Sequence, residues 1–263
     1  PVPEPVVLVS DDFSSLAFDY NLWSFVDNEW YSYYFQDQGK LHISLPSGQK
    51  HDPCTSGNCY ALIMQYFMDV DMDLEIKFES IPSAQFQMQG LLHEDSPGNY
   101  IRTDFYHDGL NLHLFAASFL ADTPAAEGDI VISPTGSDIW LRVIRTGDNF
   151  DVQWSDDGST WNTGFTFSHA LIVRKAGVFA GNAGSVVPAY EAVVDYFFDF
   201  ANPIVPEDGG GADVWPPTIT DITVLPDPLS GTALVTCTTL EPAGTVLSFG
   251  LDTNYGTDVV GTS

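Results

Sequence analysis

The sequence predicts an all-β fold in which two antiparallel sheets stack as a sandwich. Three observations support this. Short runs alternate polar and apolar residues, turn residues recur about every 8–12 positions, and helical periodicity is nearly absent. Hydrophobic residues make up 44% of the chain and aromatic residues 13%, which is enough for a packed core.

The alternation defines individual strands. Asp73–Phe78 alternates polar and apolar residues without interruption. Asp138–Arg145 and Asn149–Trp154 are separated by Thr146, Gly147 and Asp148, a short turn sequence that predicts a hairpin. Further predicted strands are Lys175–Gly181 and Glu191–Phe200.

The composition changes after Phe200, and this change predicts two domains. Residues 203–216 are rich in Pro, Gly and acidic residues, as linkers are, and they separate a sandwich at 8–202 from a second β unit at 217–263. Strands are predicted there at Thr218–Val224, Thr232–Cys237 and Thr245–Phe249, an order that resembles the start of a fibronectin type III or immunoglobulin-like domain.

The second unit is too short for a whole domain of that type. Such domains need about 100 residues and seven strands, and 217–263 is roughly half that length. An incomplete sandwich exposes open strand edges and an apolar face. Either the unit is cut short, or a strand from another chain, such as a neighbouring copy, completes it.

The charge balance restricts the partners. Lys plus Arg number 8 and Asp plus Glu number 36, which gives a formal charge of −28. Such a chain repels nucleic-acid phosphates and anionic lipid surfaces, so we expect neither as a partner. No apolar stretch approaches the roughly 18 residues of a membrane span, so we expect no membrane insertion. The acidity serves solubility, holds Ca²⁺ through carboxylate clusters, or does both.

The cysteines indicate an oxidising compartment. Cys54 and Cys59 bracket a short loop in which Gly57 and Asn58 allow a tight turn, and we predict a local disulfide between them. The alternative is a pair of reduced surface thiols. The third cysteine, Cys237, either pairs outside this sequence or is buried. A disulfide together with an N-terminus at Pro1 predicts a processed protein that is secreted or held at the cell surface.

Several short motifs occur in the order found in one group of sandwiches. They are Asp11–Ser14 with Asp19 and Trp23, Gln89–Leu92, Asn99–Arg102, Trp140–Arg145, Ser155–Trp161, Gly177–Phe179 and Asp195–Phe197. Together they resemble the concanavalin A-like lectin/glucanase (laminin G-like) sandwiches, and in particular the C-terminal β-sandwich domain of family 43 glycoside hydrolases. The resemblance covers residues 8–202 and implies a jelly-roll sandwich with a supporting or carbohydrate-binding role.

The same resemblance implies a structural Ca²⁺ where the first and last strands meet. The matching positions are Asp12 and Asp195, with Asp11 in place of Asp12 if the register slips by one. Two carboxylates and carbonyls at strand ends suit Ca²⁺, which takes six to eight oxygen ligands. The alternative is that both acids cap strand ends or face water.

A second acidic run, from Asp69 to Glu75, does not fit an EF-hand. Leu74 stands where that loop needs Gly, and Ser80 stands where it needs Glu. Strand periodicity explains the run better. It places Val70, Met72, Leu74 and Ile76 inward, with the acids on a solvated face that either binds a loose cation or meets only water.

Two regions could bind sugar, because each combines aromatic with planar hydrogen-bonding side chains. In the first, Trp30 and Tyr34 would share one face of a strand, and Tyr31 and Tyr33 the other. The second is the strand pair Gln85–His93 and Tyr100–His107. In one register its candidate residues share a face: Gln87, Gln89, Arg102, Asp104 and Tyr106. The alternative is that the aromatic residues are core and Arg102 pairs with Asp104 or another acid.

No catalytic motif is recognisable. Chance pairs of carboxylates are unavoidable among 36 acids, and the Glu-x-Asp-x-x-Glu motif of laminarinase-type relatives is missing. The segment Ser155–Trp161 resembles a sialidase Asp-box but occurs once and predicts an ordinary hairpin. We therefore expect a non-catalytic module that binds a polysaccharide or glycan. The alternative is a structural surface protein, adhesin or filament subunit.

Overall fold

The computed structural model describes residues 7–15, 17–26, 32–52, 61–207, 219–227, 232–239, 246–249 and 257–260. The chain divides into two compact units, Pro1–Ala212 and Asp213–Ser263, and the division falls inside the predicted linker. In the part of the chain that is described, no helix is long and apolar enough to cross a bilayer.

The described residues of the first unit form fourteen strands. In chain order they are β1 Ser24–Val26, β2 Tyr33–Asp37, β3 Lys40–Leu45, β4 Ala61–Tyr66, β5 Met72–Phe78, β6 Gln87–Ser96, β7 Asn99–His107, β8 Leu112–Leu120, β9 Thr123–Ile132, β10 Ile139–Thr146, β11 Asn149–Ser155, β12 Asn162–Ser168, β13 Lys175–Asn182 and β14 Tyr190–Asp199.

These strands form two seven-stranded antiparallel sheets, which confirms the predicted all-β sandwich. Sheet I has the order β1-β4-β13-β6-β7-β8-β9, and sheet II has the order β12-β11-β10-β5-β14-β3-β2. The predicted hairpin is present as β10 and β11, which pair from Trp140 opposite Ser155 to Thr146 opposite Asn149.

The main core lies between the two sheets. On sheet II, β5 turns Met72, Leu74, Ile76 and Phe78 inward, and all four are buried. The prediction that Val70 also points inward is wrong, because β5 begins only at Met72 and 51% of Val70 is exposed. Burying each large apolar side chain stabilises the fold by about 1.5–3 kcal/mol.

The acids of the β5 region form the predicted solvated face only in part: Asp69 and Asp71 are exposed, Asp73 is half-buried and Glu75 is buried. Each also accepts a hydrogen bond from a donor of the same chain. Arg145 donates to Asp69 and Arg142 donates to Asp73. The backbone N–H of Gly147 donates to Asp71, and the Tyr196 hydroxyl donates to Glu75.

Sheet I also carries a second apolar cluster, on its outer face. Its buried members include Leu62, Met64, Met88, Leu92, Tyr100, Phe119 and Phe179. The central strands of sheet I are therefore apolar on both faces, and β4 and β6 are nearly continuous buried runs. This outer face also bears the candidate functional site.

The second unit contains four described strands in two separate pairs. They are β15 Ile219–Asp227 with β16 Thr232–Thr239, and β17 Val246–Phe249 with β18 Thr257–Val260. On β15 the side chains of Ile222, Val224 and Leu225 are all exposed. The fibronectin type III or immunoglobulin-like character of this unit, and its completion by another chain, stay predictions.

Candidate functional site

The pairing of β6 with β7 decides which candidate residues share a face. Met88 lies opposite Tyr106, Gly90 opposite Asp104, and Leu92 opposite Arg102. Arg102, Asp104 and Tyr106 therefore lie on the outer face of sheet I. Gln87 and Gln89 alternate with Met88 and Gly90, so they point inward, and the prediction that all five residues share one face is wrong.

Both glutamines instead hold the interior together. Gln89 is fully buried, and its amide donates to the Ser80 carbonyl at 2.6 Å while its side-chain oxygen accepts from Ser80 and Tyr190 hydroxyls. Gln87 accepts the backbone N–H groups of Ser83 and Ala84, both at 2.8 Å. These bonds satisfy buried amides, so Gln89 presents no atom to a ligand at the surface.

Arg102 and Asp104 form a buried ion pair on the outer face. Arg102 Nε donates to Asp104 Oδ1 at 2.8 Å, and Nη2 donates to Oδ2 at 3.1 Å. The Arg102 guanidinium carbon lies 5.1 Å from the centre of the Phe115 ring, and Nη1 lies 3.6 Å from Asp52 Oδ1. The pairing of Arg102 with Asp104 was the alternative interpretation of the sequence, and the structure shows it.

The Asp104 carboxyl is completely buried, and this burial raises its pKa to about 6 although the Arg102 guanidinium opposes the rise. Gly90 allows this close packing. A Cβ at Gly90 would collide with the Thr103 carbonyl oxygen and with Asp104 Cα, so a larger residue would push β6 away from β7.

A cavity of about 320 Å³ opens beside this ion pair, and we call it the Arg102 cavity. Its lining residues include Asp52, Phe86, Met88, Arg102, Tyr106 and Phe115. It combines apolar and aromatic walls with a few polar groups, the composition typical of sites that bind small ligands.

Phe86 lines this cavity in an uncommon backbone conformation. Its φ angle is +63°, a region that bulky residues rarely adopt. Two backbone hydrogen bonds hold it: Phe86 N–H donates to the His107 carbonyl at 2.7 Å, and the Phe86 carbonyl accepts from Ala183 at 3.1 Å. The ring lies against Gly184, where a Cβ would be 2.9 Å from Phe86 Cδ2. The fold therefore holds a partly exposed aromatic ring, with 37% of Phe86 accessible, in the lining of the cavity.

A chain of hydrogen bonds supports the wall that Tyr106 provides. The Tyr106 hydroxyl donates to Asp129 Oδ2 at 3.0 Å, and its ring stacks on His113 with the centres 4.7 Å apart. His113 lies between Asp129 and Asp108, with ring nitrogens 2.7 and 3.1 Å from their carboxylate oxygens. Burial opposes charge on His113, but these two carboxylates outweigh it and raise the His113 pKa. Burial and Asp129 also raise the pKa of Tyr106, so its hydroxyl stays protonated.

In the aromatic segment from Trp30 to Tyr34, the position of Tyr34 differs from the predicted sugar-binding position. Trp30 lies outside the described residues. Tyr34 packs against Phe18 and Phe25, with ring centres 4.6 and 4.5 Å away, and its hydroxyl donates to the Tyr20 hydroxyl. The ring of Tyr34 is thus packed against the core, and of the two described rings in this segment Tyr33 is the exposed one, at 60%.

The joint predicted to hold Ca²⁺ exists, since Asp11 and Phe197 exchange two backbone hydrogen bonds of 2.8 Å. However, Lys77 Nζ donates to Asp195 Oδ2 at 2.7 Å, and Asp12 Oδ1 accepts from the Ser14 N–H and hydroxyl. Among the described residues, no group of three or more His, Cys, Asp or Glu could hold a metal. The arrangement does not fit Ca²⁺ at Asp195, because an ammonium group already neutralises that carboxylate.

The predicted disulfide cannot be placed, because Cys54 and Cys59 both lie outside the described residues. It stays a prediction.

No protein-family model and no curated protein matches the sequence. Solved structures do match its fold. A functionally unknown protein from Saccharomyces cerevisiae has a TM-score of 0.54 at 12% identity over 68% of this chain and 97% of its own. The CBM2 module of the evolved Dit of Lactobacillus casei phage J-1 has a TM-score of 0.51 at 6% identity, over 73% of this chain and 94% of its own.

Glycoside hydrolases of family 43 match as well. The protein GH43B of the Bacteroides ovatus xyloglucan PUL has a TM-score of 0.57 at 16% identity. The match covers 73% of this chain but only 38% of that enzyme. At these identities the likeness establishes the sandwich fold alone, and this chain spans well under half of the enzyme.

Proposed function

We propose that this protein is a non-catalytic carbohydrate-binding module and that the Arg102 cavity is its binding site. The observation that carries the proposal is the partly exposed Phe86 ring, held in a left-handed backbone conformation in a cavity that two further aromatic residues and an arginine also line. Conformations of this kind persist where the surrounding structure holds them in place, and they concentrate at ligand sites.

The cavity has the chemistry that sugar recognition needs. A pyranose ring has apolar C–H faces that pack on aromatic rings, which Phe86, Tyr106 and Phe115 supply. Its hydroxyl groups need donors and acceptors in fixed positions. Asp52 and Arg102 are the charged residues that line the cavity, and the bidentate contact with Asp104 fixes the guanidinium plane before a ligand arrives.

Two carboxylates near the cavity, Asp104 and Asp129, are poorly placed for glycoside hydrolysis. A raised pKa near 6 is what a general acid needs, and Asp104 has one. Yet the Asp104 side chain is fully buried and both its oxygens accept from Arg102, so it cannot reach a glycosidic oxygen. Asp129 is likewise engaged by Tyr106 and His113. A binding role needs no proton transfer from Asp104 or Asp129, so it is compatible with the hydrogen bonds that engage them.

The similar solved structures suggest which polysaccharides to test. The family 43 structure above is described by xyloglucan, and a further one, with a TM-score of 0.56 at 14% identity, is described by endo-xylanase and exo-arabinofuranosidase activity. We therefore propose plant cell-wall polysaccharides of the xylan and xyloglucan type as the first ligands to test, and we propose an extracellular location, where such polymers are encountered.

The test is affinity electrophoresis and pull-down with xylan, arabinoxylan, xyloglucan and cellulose, together with a reducing-sugar assay on the same polymers. We expect retardation by at least one polymer and no release of sugar. Phe86→Ala should abolish retardation. Tyr66→Ala is the control, because Tyr66 is an exposed aromatic residue on the same face, at 58%. Retardation unchanged in Phe86→Ala, or lack of binding to a wide glycan panel, contradicts the proposal.

A further inference from the structure

We propose that a second cavity, beside Tyr33, is a further subsite for the same glycan chain, so that the protein binds an oligosaccharide segment across two cavities. This inference rests on the proposed function. The second cavity has a volume of about 370 Å³, and we call it the Tyr33 cavity. Its lining residues include Tyr33, Ser44, Ser83, Gln87, Tyr190 and Glu191.

Tyr33 gives this cavity an aromatic wall. It lies on β2, at the edge of sheet II, and stacks on Phe35 with ring centres 6.1 Å apart. Phe35 in turn stacks on His42 at 4.5 Å, nearly parallel. The Tyr33 side chain is 60% exposed, so its ring is accessible to a ligand. A tyrosine has only two side-chain torsions, so it loses little conformational entropy when a sugar packs on its ring.

Glu191 supplies the polar groups on the other side of the Tyr33 cavity. Its carboxylate accepts from the Ser44 hydroxyl and lies 3.0 Å from His42 Nδ1. Burial disfavours its charge, but these two partners outweigh the effect, and the pKa of Glu191 lies below its usual value. The side chain is 44% exposed, so a charged acceptor in a fixed position faces the cavity. Sugar hydroxyls donate well to such a group.

The two cavities share a wall. Gln87 lines the Tyr33 cavity and Met88 lines the Arg102 cavity, and these consecutive residues of β6 point to opposite faces of sheet I. Their Cα atoms are about 3.8 Å apart. The loop between β13 and β14 also borders both cavities, since Gly184 lines the Arg102 cavity and Ala189, five residues later, lines the Tyr33 cavity. One strand and one loop thus separate the two cavities.

The closeness of the two cavities favours binding of one glycan chain across both over binding of two separate sugars. Each cavity is near the small end of the range for ligand sites, about 300–1,000 Å³, so each holds only part of an oligosaccharide. Phe86, which lines the Arg102 cavity and is 37% exposed, lies directly before Gln87, which lines the Tyr33 cavity. The proposed glycan therefore crosses the start of β6 at these two residues. Two linked contacts then raise the affinity for long chains beyond that for short ones.

The experiment is isothermal titration of the whole protein with xylobiose and xylohexaose, or with the short and long oligosaccharides of whichever polymer binds in the panel above. For Tyr33→Ala we expect the affinity for the hexasaccharide to fall about fivefold to tenfold while that for the disaccharide is unchanged. Glu191→Gln should act in the same direction. Phe86→Ala should weaken both ligands, and Tyr66→Ala neither.

Two results overturn the subsite while leaving the proposed function intact. In the first, Tyr33→Ala and Glu191→Gln bind the long ligand as tightly as the wild type does. In the second, they weaken the short and long ligands equally. If the wild type binds no oligosaccharide at all, the proposed function falls and the subsite falls with it. Because 60% of Tyr33 is exposed, its removal should leave the melting temperature nearly unchanged, which circular dichroism verifies.

Discussion

The outer faces of the two sheets carry nearly the same side-chain arrangement. On sheet I, Arg102 forms a bidentate pair with Asp104, with bonds of 2.8 and 3.1 Å, and stacks over Phe115 at 5.1 Å. On sheet II, Arg142 forms a bidentate pair with Asp73, with bonds of 2.8 and 2.7 Å, and stacks over Phe200 at 3.7 Å. An arginine, an aspartate and an aromatic ring recur in both.

The surroundings of the two pairs differ. Arg102 borders the Arg102 cavity, although its side chain is only 4% exposed and that of Asp104 is fully buried. Arg142 is more exposed, at 15%, but Phe200 lies close against it and Trp161 lies 5.6 Å from it. Our proposed binding site uses only the first of these pairs, because a cavity lies beside Arg102. The proposal predicts that the space beside such a pair, and not the pair alone, decides whether a ligand binds.

The largest expected effect is the difference in glycan binding between substitutions of Arg102 and of Arg142. Arg102→Met should weaken glycan binding by more than about 30-fold, because it removes a central polar contact. It should also cost about 3–5 kcal/mol of stability, since it leaves Asp104 buried without its partner. Arg142→Met should leave binding unchanged and cost about 1–2 kcal/mol. Titration calorimetry and urea denaturation measure both quantities.

If Arg102→Met does not fold, Arg102→Lys provides the same comparison, because lysine keeps the charge and loses the planar bidentate contact. Equal loss of binding in the Arg102 and Arg142 variants would mean that the two faces do not differ in function.

The next largest effect concerns pH. Burial raises the pKa of Asp104 to about 6 in the folded state, against about 3.9 when unfolded. The folded state therefore holds an extra proton between these values. The contribution of Asp104 to stability is most favourable below pH 4 and is lost as the pH rises through 6, by on the order of 3 kcal/mol. Asp104→Asn removes this titration, so its stability relative to the wild type should improve from pH 4 to pH 7.

The measurement is urea denaturation of both proteins at half-unit pH steps. A constant difference between wild type and Asp104→Asn across that window would show that Asp104 titrates normally, and hence that its surroundings are wetter than the structure indicates.

A smaller effect is expected when the hydroxyl group of Tyr106 on sheet I or of Tyr196 on sheet II is removed. Tyr106→Phe removes the bond to Asp129 at the cavity wall but keeps the ring, so we expect about 1 kcal/mol of lost stability and at most a twofold change in binding. Tyr106→Ala removes the wall and should weaken binding about tenfold. The matched control on sheet II is Tyr196→Phe, which loses the bond to Glu75 and should not affect binding. A binding defect in Tyr196→Phe would contradict the difference between the faces.

The smallest effect concerns Ca²⁺. On the outer face of sheet II, Lys77 neutralises Asp195, and its bonds to Asp195 and Glu79 outweigh the opposing effect of burial and raise the Lys77 pKa. We expect no Ca²⁺ to bind at Asp195, and an ion that does not bind the folded protein does not stabilise it. EDTA or millimolar CaCl₂ should therefore change the melting temperature by less than about 1 °C. A calcium-dependent rise of several degrees would show that Asp12 and Asp195 rearrange around the ion.

The sequence predicted much of the fold because strand periodicity is a local property. The alternation of β5, the hairpin of β10 and β11, and the late strands β13 and β14 were all predicted within a residue or two. The polar strand β9, with its Pro, Gly and acidic residues, was not predicted, because its composition is that of a loop. Pairing with β8 makes it a strand.

The candidate site was predicted only in part, because faces and registers are tertiary properties. Arg102, Asp104 and Tyr106 do lie together, but a one-residue choice of register decided that Gln87 and Gln89 do not. Likewise, the sequence separates Tyr33 from Tyr34 without indicating which one faces outward; packing against Phe18 and Phe25 decides that. Phe86 was missed, because its exposure and left-handed backbone have no local sequence signal.

An amide chemical-shift titration of the ¹⁵N-labelled protein with the best-binding oligosaccharide tests directly whether the Arg102 cavity binds the glycan. The amides of Phe86, Met88 and Gly184 should shift progressively and saturably, while those of Arg142 and Phe200 stay in place. Saturable shifts confined to the outer face of sheet II, with the residues of the Arg102 cavity unaffected, would contradict glycan binding at the Arg102 cavity.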